Sequence, residues 1–127
     1  MILVDTSAWI AFFKGGNSTA DLVEEFILDN KLALCGPVQS ELLRGFKNKK
    51  ERDTVWPLLD GCHFLEQPDK LWIDAGNCGF ALRRKGKTVK TMDLLIACYA
   101  IAYQVPMLTL DKDFKTIKAA GFPFEII

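Results

Sequence analysis

The chain has 127 residues, with 16 lysines and arginines set against 16 aspartates and glutamates. That length fits one compact domain, residues 1–127, burying roughly two-thirds of its unfolded surface. A formal charge of zero excludes a global positive field, so any polyanionic partner must be held by local basic patches.

Met1 to Val4 reads as a short buried strand, with neither the basic region nor the long apolar run of a secretory signal. Asp5-Thr6-Ser7 supplies cap chemistry for a helix from Ala8 to Lys14, which Gly15-Gly16 breaks. A second helix runs from Asn17-Ser18 to about Leu28. Leu32 to Cys35 is a second strand, and Gly36-Pro37 turns the chain into a helix carrying Glu41 and Arg44 that ends near Gly45. Lys47 to Leu59 reads as a further helix, Cys62 to Leu65 as a third strand, and Pro68 to Arg84 as a long helix.

Arg83 to Lys90 reads as a basic loop. Thr91-Met92-Asp93 opens a helix that is apolar on nearly every side through Tyr103, so it must be central. Its apolar run from Leu94 is far too short to span a bilayer. Pro106 to Leu110 forms a fourth strand, Asp111 to Ala120 a short helix, and Phe124 to Ile127 a last strand. Strands alternating with helices predict an α/β fold in which a parallel sheet of about five strands is covered on both faces.

Cys35, Cys62, Cys78 and Cys98 include no CxxC pair, and His63 is the only histidine. This speaks against zinc fingers, a disulfide framework and histidine-dependent nucleophiles, and it fits core thiols of a cytoplasmic protein. Trp9, Phe12 and Phe13 lie at helical spacing and read as core, with a peptide-gripping surface as the other reading; Trp56 and Trp72 read as packing residues.

The acids gain meaning as a set. Singly, Asp5 and Asp111 are helix caps, Asp93 complements a helix dipole, and Glu41 lies on a solvated helix face. In a parallel sheet, however, strand ends and helix starts share one edge, where ligands bind. Asp5 and Asp111 directly follow strands, Asp93 opens the central helix, and Glu41 lies just over a turn into the helix after the second strand. Converging carboxylates repel one another unless protons or cations intervene. Oxygen ligands without His or Cys select hard ions, magnesium or manganese, which can activate water and stabilise the leaving oxygen of a phosphodiester.

The segments Val4-Asp5-Thr6-Ser7, Ser40 to Gly45, Met92 to Ala97 and Leu108 to Phe114 resemble those of PIN-domain ribonucleases. More narrowly, they resemble VapC-type toxins of toxin–antitoxin pairs. The resemblance runs the whole chain in the family's order. It implies a Rossmann-like α/β/α sandwich, a magnesium- or manganese-dependent endoribonuclease, frequent homodimers and a neutralising antitoxin. It maps Asp5, Glu41, Asp93 and Asp111 onto the family's acidic quartet, with Asp113 as a further acid. Asp5, Asp93 and Asp111 are then the expected metal ligands, Asp111 and Asp113 both standing as candidates for the nearer one. Thr6, Ser7 and Thr109 match supporting hydroxyls.

RNA contacts fall to Arg83, Arg84, Lys85, Lys87 and Lys90, with Arg44 and the Lys47 to Arg52 patch in support. Two other readings stay open: a PIN nuclease of RNA maturation or quality control, and a non-catalytic receiver-like module. Receivers carry an adjacent acidic pair after the first strand, whereas Asp5 is followed by Thr6 and Ser7. A DxDxT-type phosphatase fails because position 7 is serine.

Overall fold

In the computed structural model, which describes every residue from Met1 to Ile127, four short apolar runs become strands. They are β1 (Ile2–Val4), β2 (Leu32–Cys35), β3 (His63–Leu65) and β4 (Met107–Leu108). All pair in parallel, in the order β3-β2-β1-β4. Every residue of β1, β2 and β4 is buried, as a sheet covered on both faces requires. Seven helices flank it: α1 (Thr6–Lys14), α2 (Ser18–Leu28), α3 (Gly36–Gly45), α4 (Lys49–Asp60), α5 (Leu71–Arg84), α6 (Thr91–Tyr103) and α7 (Asp113–Ala119).

Chain order places the functional edge. From β1 the sheet grows one way through β2 and β3, and the other way through β4. The crevice between the carboxyl ends of β1 and β4 is therefore the topological switch point. Asp5 follows β1 and Thr109 follows β4, so both stand at this crevice. In α6, Asp93 and the next seven residues are all buried. Helix α5 packs against α6 closely enough that a Cβ at Gly79 would lie 2.9 Å from Leu94 Cδ1. Trp9 is fully buried and stacks on Phe13, with Phe12 edge-on, so the aromatic face of α1 belongs to the core.

The structure corrects several expectations. The fifth strand is reduced to one parallel bridge, Met107 to Ile126, in a tail that Pro123 deprives of one N–H donor. Strand β4 stops at Leu108 instead of Leu110 because the chain beyond it pairs with side chains. Leu110 N–H donates to Ser7 Oγ (2.9 Å) and Asp111 N–H to Thr109 Oγ1 (3.0 Å).

Asp111 stays outside α7 because its carboxylate accepts the Asp113 N–H (2.9 Å), in the manner of a cap. Asn48 caps α4, accepting from Glu51 N–H, so Lys47 and Asn48 precede that helix. Helix α5 opens at Leu71, the residues from Pro68 forming a turn ahead of it. Arg83 and Arg84 are helical, forming the last turn of α5. The basic loop is Lys85 to Lys90, begun by Gly86 at φ +76° with Lys87 N–H bonded back to the Leu82 carbonyl. Trp56 packs against the core as expected, but Trp72 is 63% exposed and lies outside the core.

Cys35, Cys78 and Cys98 are buried free thiols, and Cys62 is half-buried. Burial pushes the Cys35 and Cys98 thiols up to about 12, so these groups stay protonated and inert.

Candidate active site

Among all the buried residues of the chain, only Asp5 and Asp93 are polar or charged, at 3% and 5% exposure. Burying a carboxylate costs free energy unless donors or cations compensate. The two acids meet that cost differently.

Asp5 is surrounded by donors. Its Oδ1 accepts from Ser7 Oγ (2.7 Å) and, as the cap of α1, from Ala8 N–H (3.1 Å). Its Oδ2 accepts from Thr109 Oγ1 (2.7 Å). Burial nevertheless raises its pKa, against the pull of those donors and with Asp111 pushing the same way as burial. Both hydroxyls pass the connection on, since Ser7 Oγ and Thr109 Oγ1 in turn accept the backbone N–H groups of Leu110 and Asp111. Asp5 thereby fixes the backbone that presents Asp111.

Asp93 has no such support. It opens α6, where the helix dipole helps, but its Oδ2 is buried with no hydrogen-bond partner. Burial pushes its carboxyl up to about 6; Lys90 opposes this, and Asp111, Asp113 and Glu41 add to it. Ligand oxygens of Asp93, Asp111 and Asp113 lie within 4.8 Å of one another. Glu41 is half-buried on α3, and its Oε1 accepts from Thr6 Oγ1 at 2.7 Å, which turns this acid toward α1.

The structure therefore brings the five expected acids to one crevice and groups them unevenly. The trio Asp5, Asp93 and Asp111 is not the closest set: Asp113 completes the group with Asp93 and Asp111, and Asp5 lies outside it with most of its acceptor capacity used. A buried carboxylate with one unpaired oxygen, grouped with two further carboxylates, fits a hard divalent cation, which would neutralise the group through oxygen ligands alone.

Of the expected RNA-contact residues, Lys90 acts on Asp93 and so stands at the site. Lys85 donates to the Ala120 carbonyl (3.0 Å), tying the loop to the end of α7. Lys87, Arg83 and Arg84 are exposed on the same connection. Arg44 is exposed in the last turn of α3.

Residues 2–120 match the family model of the PIN domain. The chain belongs to the PIN domain family. The VapC ribonuclease Mb1587 of Mycobacterium bovis is 33% identical to this PIN domain over 122 residues, covering 92% of this chain and 91% of that one. Ribonuclease VapC11 of Mycobacterium tuberculosis matches with the same identity and coverage. Among solved structures, VapBC2 from Rickettsia felis, bound to a DNA fragment from its promoter, superposes with a TM-score of 0.80. That match has 23% identity and covers 100% of this chain and 98% of that one, a likeness of fold.

Two features of this PIN domain escaped sequence reasoning. The pairing of Thr6 with Glu41, and of Ser7 and Thr109 with Asp5, depends on how the ends of β1, β4 and α3 converge, which no local spacing encodes. An exposed groove on α5 was also missed, although Trp72, Gly76 and Phe80 at intervals of four, running into Arg83 and Arg84, marked it.

Proposed function

We propose that this PIN domain is a magnesium- or manganese-dependent endoribonuclease and the toxin of a type II toxin–antitoxin pair. The observation that carries the reading is the group Asp93, Asp111 and Asp113, with a buried, unpartnered oxygen on Asp93. The ribonuclease names of the Mycobacterium relatives support RNA as the substrate, and the VapBC assembly from Rickettsia supports an antitoxin partner.

Asp93, Asp111 and Asp113 are the residues proposed to hold the ion, with Asp5 at the edge of the set. When bound, the ion supplies a Lewis acid for the phosphoryl oxygens and lowers the pKa of water. The chain's own groups do the rest. Asp5, through Thr109, holds the Asp111 backbone in place. Glu41, oriented by Thr6, is the acid proposed to take up the proton released in hydrolysis. Lys85, Lys87 and Lys90 draw the substrate backbone to a site whose acids repel it. The antitoxin is proposed to offer a basic side chain to those acids. A homodimer in the cytoplasm belongs to the same proposal. The maturation-enzyme reading shares this chemistry and differs only in partner.

Incubation of the purified chain with end-labelled RNA tests the proposal. Internal cuts are expected with magnesium or manganese and none with excess EDTA. Cleavage that persists in EDTA and leaves a cyclic phosphate contradicts it.

A further inference from the structure

A groove of about 440 Å³ opens between α5, α6 and the tail after α7, on the side of α5 turned away from Trp72 and Phe80. That volume is in the usual range for a small-molecule site. Ala81, Ile101, Ala102, Phe122 and Pro123 wall it, and the nearly buried Cys78 and Cys98 form its floor. Burial raises both thiols, Cys98 to about 12, so the floor is uncharged and behaves as an apolar surface. The groove is separate from the acid cluster: Ile101 lies just over two turns along α6 from Asp93, about 12 Å along the helix axis.

Besides the thiols, two polar side chains reach this lining, Asp74 and Asn77, and both are exposed at its mouth. No lysine or arginine lines it. Asp74 has no cation elsewhere, since the ion pairs of the chain are Lys31 with Asp29, Arg52 with Asp53 and Lys118 with Glu125. Its charge is felt inside the groove, where it adds to burial and to Cys78 in keeping the Cys98 thiol protonated. One carboxylate over an apolar floor repels organic anions and offers too few oxygens for a hard divalent ion. It complements a cation whose remainder is hydrocarbon. We propose that this groove is a binding site for a small apolar amine, its ammonium paired with Asp74 and Asn77 and its hydrocarbon part laid over Cys78 and Cys98.

The test is calorimetric titration of the full-length chain with the alkylamines from n-butylamine to n-octylamine, with n-hexanol and hexanoate as the neutral and anionic counterparts of n-hexylamine. Amine affinity should rise about three- to fourfold for each added methylene, and hexanoate should not bind. Asp74→Asn should weaken n-hexylamine about threefold, the modest loss expected of an exposed charge, and leave n-hexanol unchanged. Ala102→Phe, which fills the groove from an exposed position, should abolish binding of both. RNA cleavage and unfolding temperature should stay as in the parent. The methyl resonances of Ile101 and Ala81 should move saturably with n-hexylamine.

Amine binding that ignores chain length, or that persists undiminished in Ala102→Phe, overturns the proposal, because the acid cluster at the start of α6 would hold an ammonium in that way. So does loss of self-association by Ala102→Phe in sedimentation with no amine bound by the parent, which assigns the groove to a second copy. Neither result bears on the ribonuclease reading, which RNA cleavage by the parent chain decides separately.

Discussion

A carboxylate such as Asp93, buried, half unpartnered and beside two others, is less stable ionised in the folded chain than in the unfolded one. Its folded pKa of about 6 lies above the ordinary 3.8, so the folded chain binds more protons between these values. Stability from this group is fully present below about pH 4 and is lost as pH rises toward about 6, with no further change above. We expect Asp93→Asn to unfold at a higher temperature than the parent at pH 7 without divalent ions, by roughly 1–2 kcal/mol, and to lose that advantage near pH 4. RNA cleavage by this variant should be undetectable. Calorimetric unfolding at the two pH values checks the first part, and equal stability of parent and variant at pH 7 would contradict it.

Thr109→Val tests the hydroxyl that links Asp5 to Asp111. It removes a donor to Asp5 and an acceptor for the Asp111 N–H at nearly constant volume. We expect a loss of about 1–3 kcal/mol in stability and at least a tenfold fall in kcat, read by denaturant titration and by RNA cleavage.

At the scale of elements, the connection from α5 to α6 does the most. Leu82 to Gly86 end one helix through a left-handed glycine, and Lys90 begins the next within reach of Asp93. Lys87→Ala/Lys90→Ala should weaken RNA binding across sequences and flatten its salt dependence by about one unit of slope for each phosphate left without its lysine. Folding stability should fall only slightly, through loss of the Lys90 charge beside the buried Asp93, because both lysines are exposed. An unaltered salt slope would shift the role to the Lys47 to Arg52 patch. The same connection depends on close packing of α5 on α6 at Gly79. Gly79→Leu, whose branched side chain would collide with Leu94, should cost about 1–3 kcal/mol in denaturant titrations.

The element order was legible in the sequence because apolar runs, caps and glycines state it locally: Asp5 and Asn17 cap the helices they precede, and Gly86 ends α5. The ends of β4 and α7 were not, because the N–H groups after Leu108 are taken by Ser7, Thr109 and Asp111, partners set by tertiary convergence. Trp72 misled for a related reason. Its size suggests burial, but only the position of α6 decides which face of α5 is covered.

For the whole molecule, the balance of charge conceals a separation of charge. Sixteen cations and sixteen anions cancel overall, yet acids gather at the switch point of the sheet and cations on the adjoining loop. A neutral chain arranged this way carries a locally positive surface beside its acid cluster. Asp5, Glu41, Asp93 and Asp111 were legible as a set from their places after strands and near helix starts, and Asp113 was added only by the resemblance to PIN-domain ribonucleases. Their division was not: only the fold shows that Asp113 joins Asp93 and Asp111 while Asp5 is committed to hydroxyls.

That division makes the decisive measurement a calorimetric titration of manganese into the parent chain, Asp93→Asn and Asp5→Asn at pH 7. We expect saturable binding to the parent, none to Asp93→Asn, and weakened but measurable binding to Asp5→Asn. Equal manganese affinity in the parent and Asp93→Asn would contradict the assignment of these carboxylates as a metal centre.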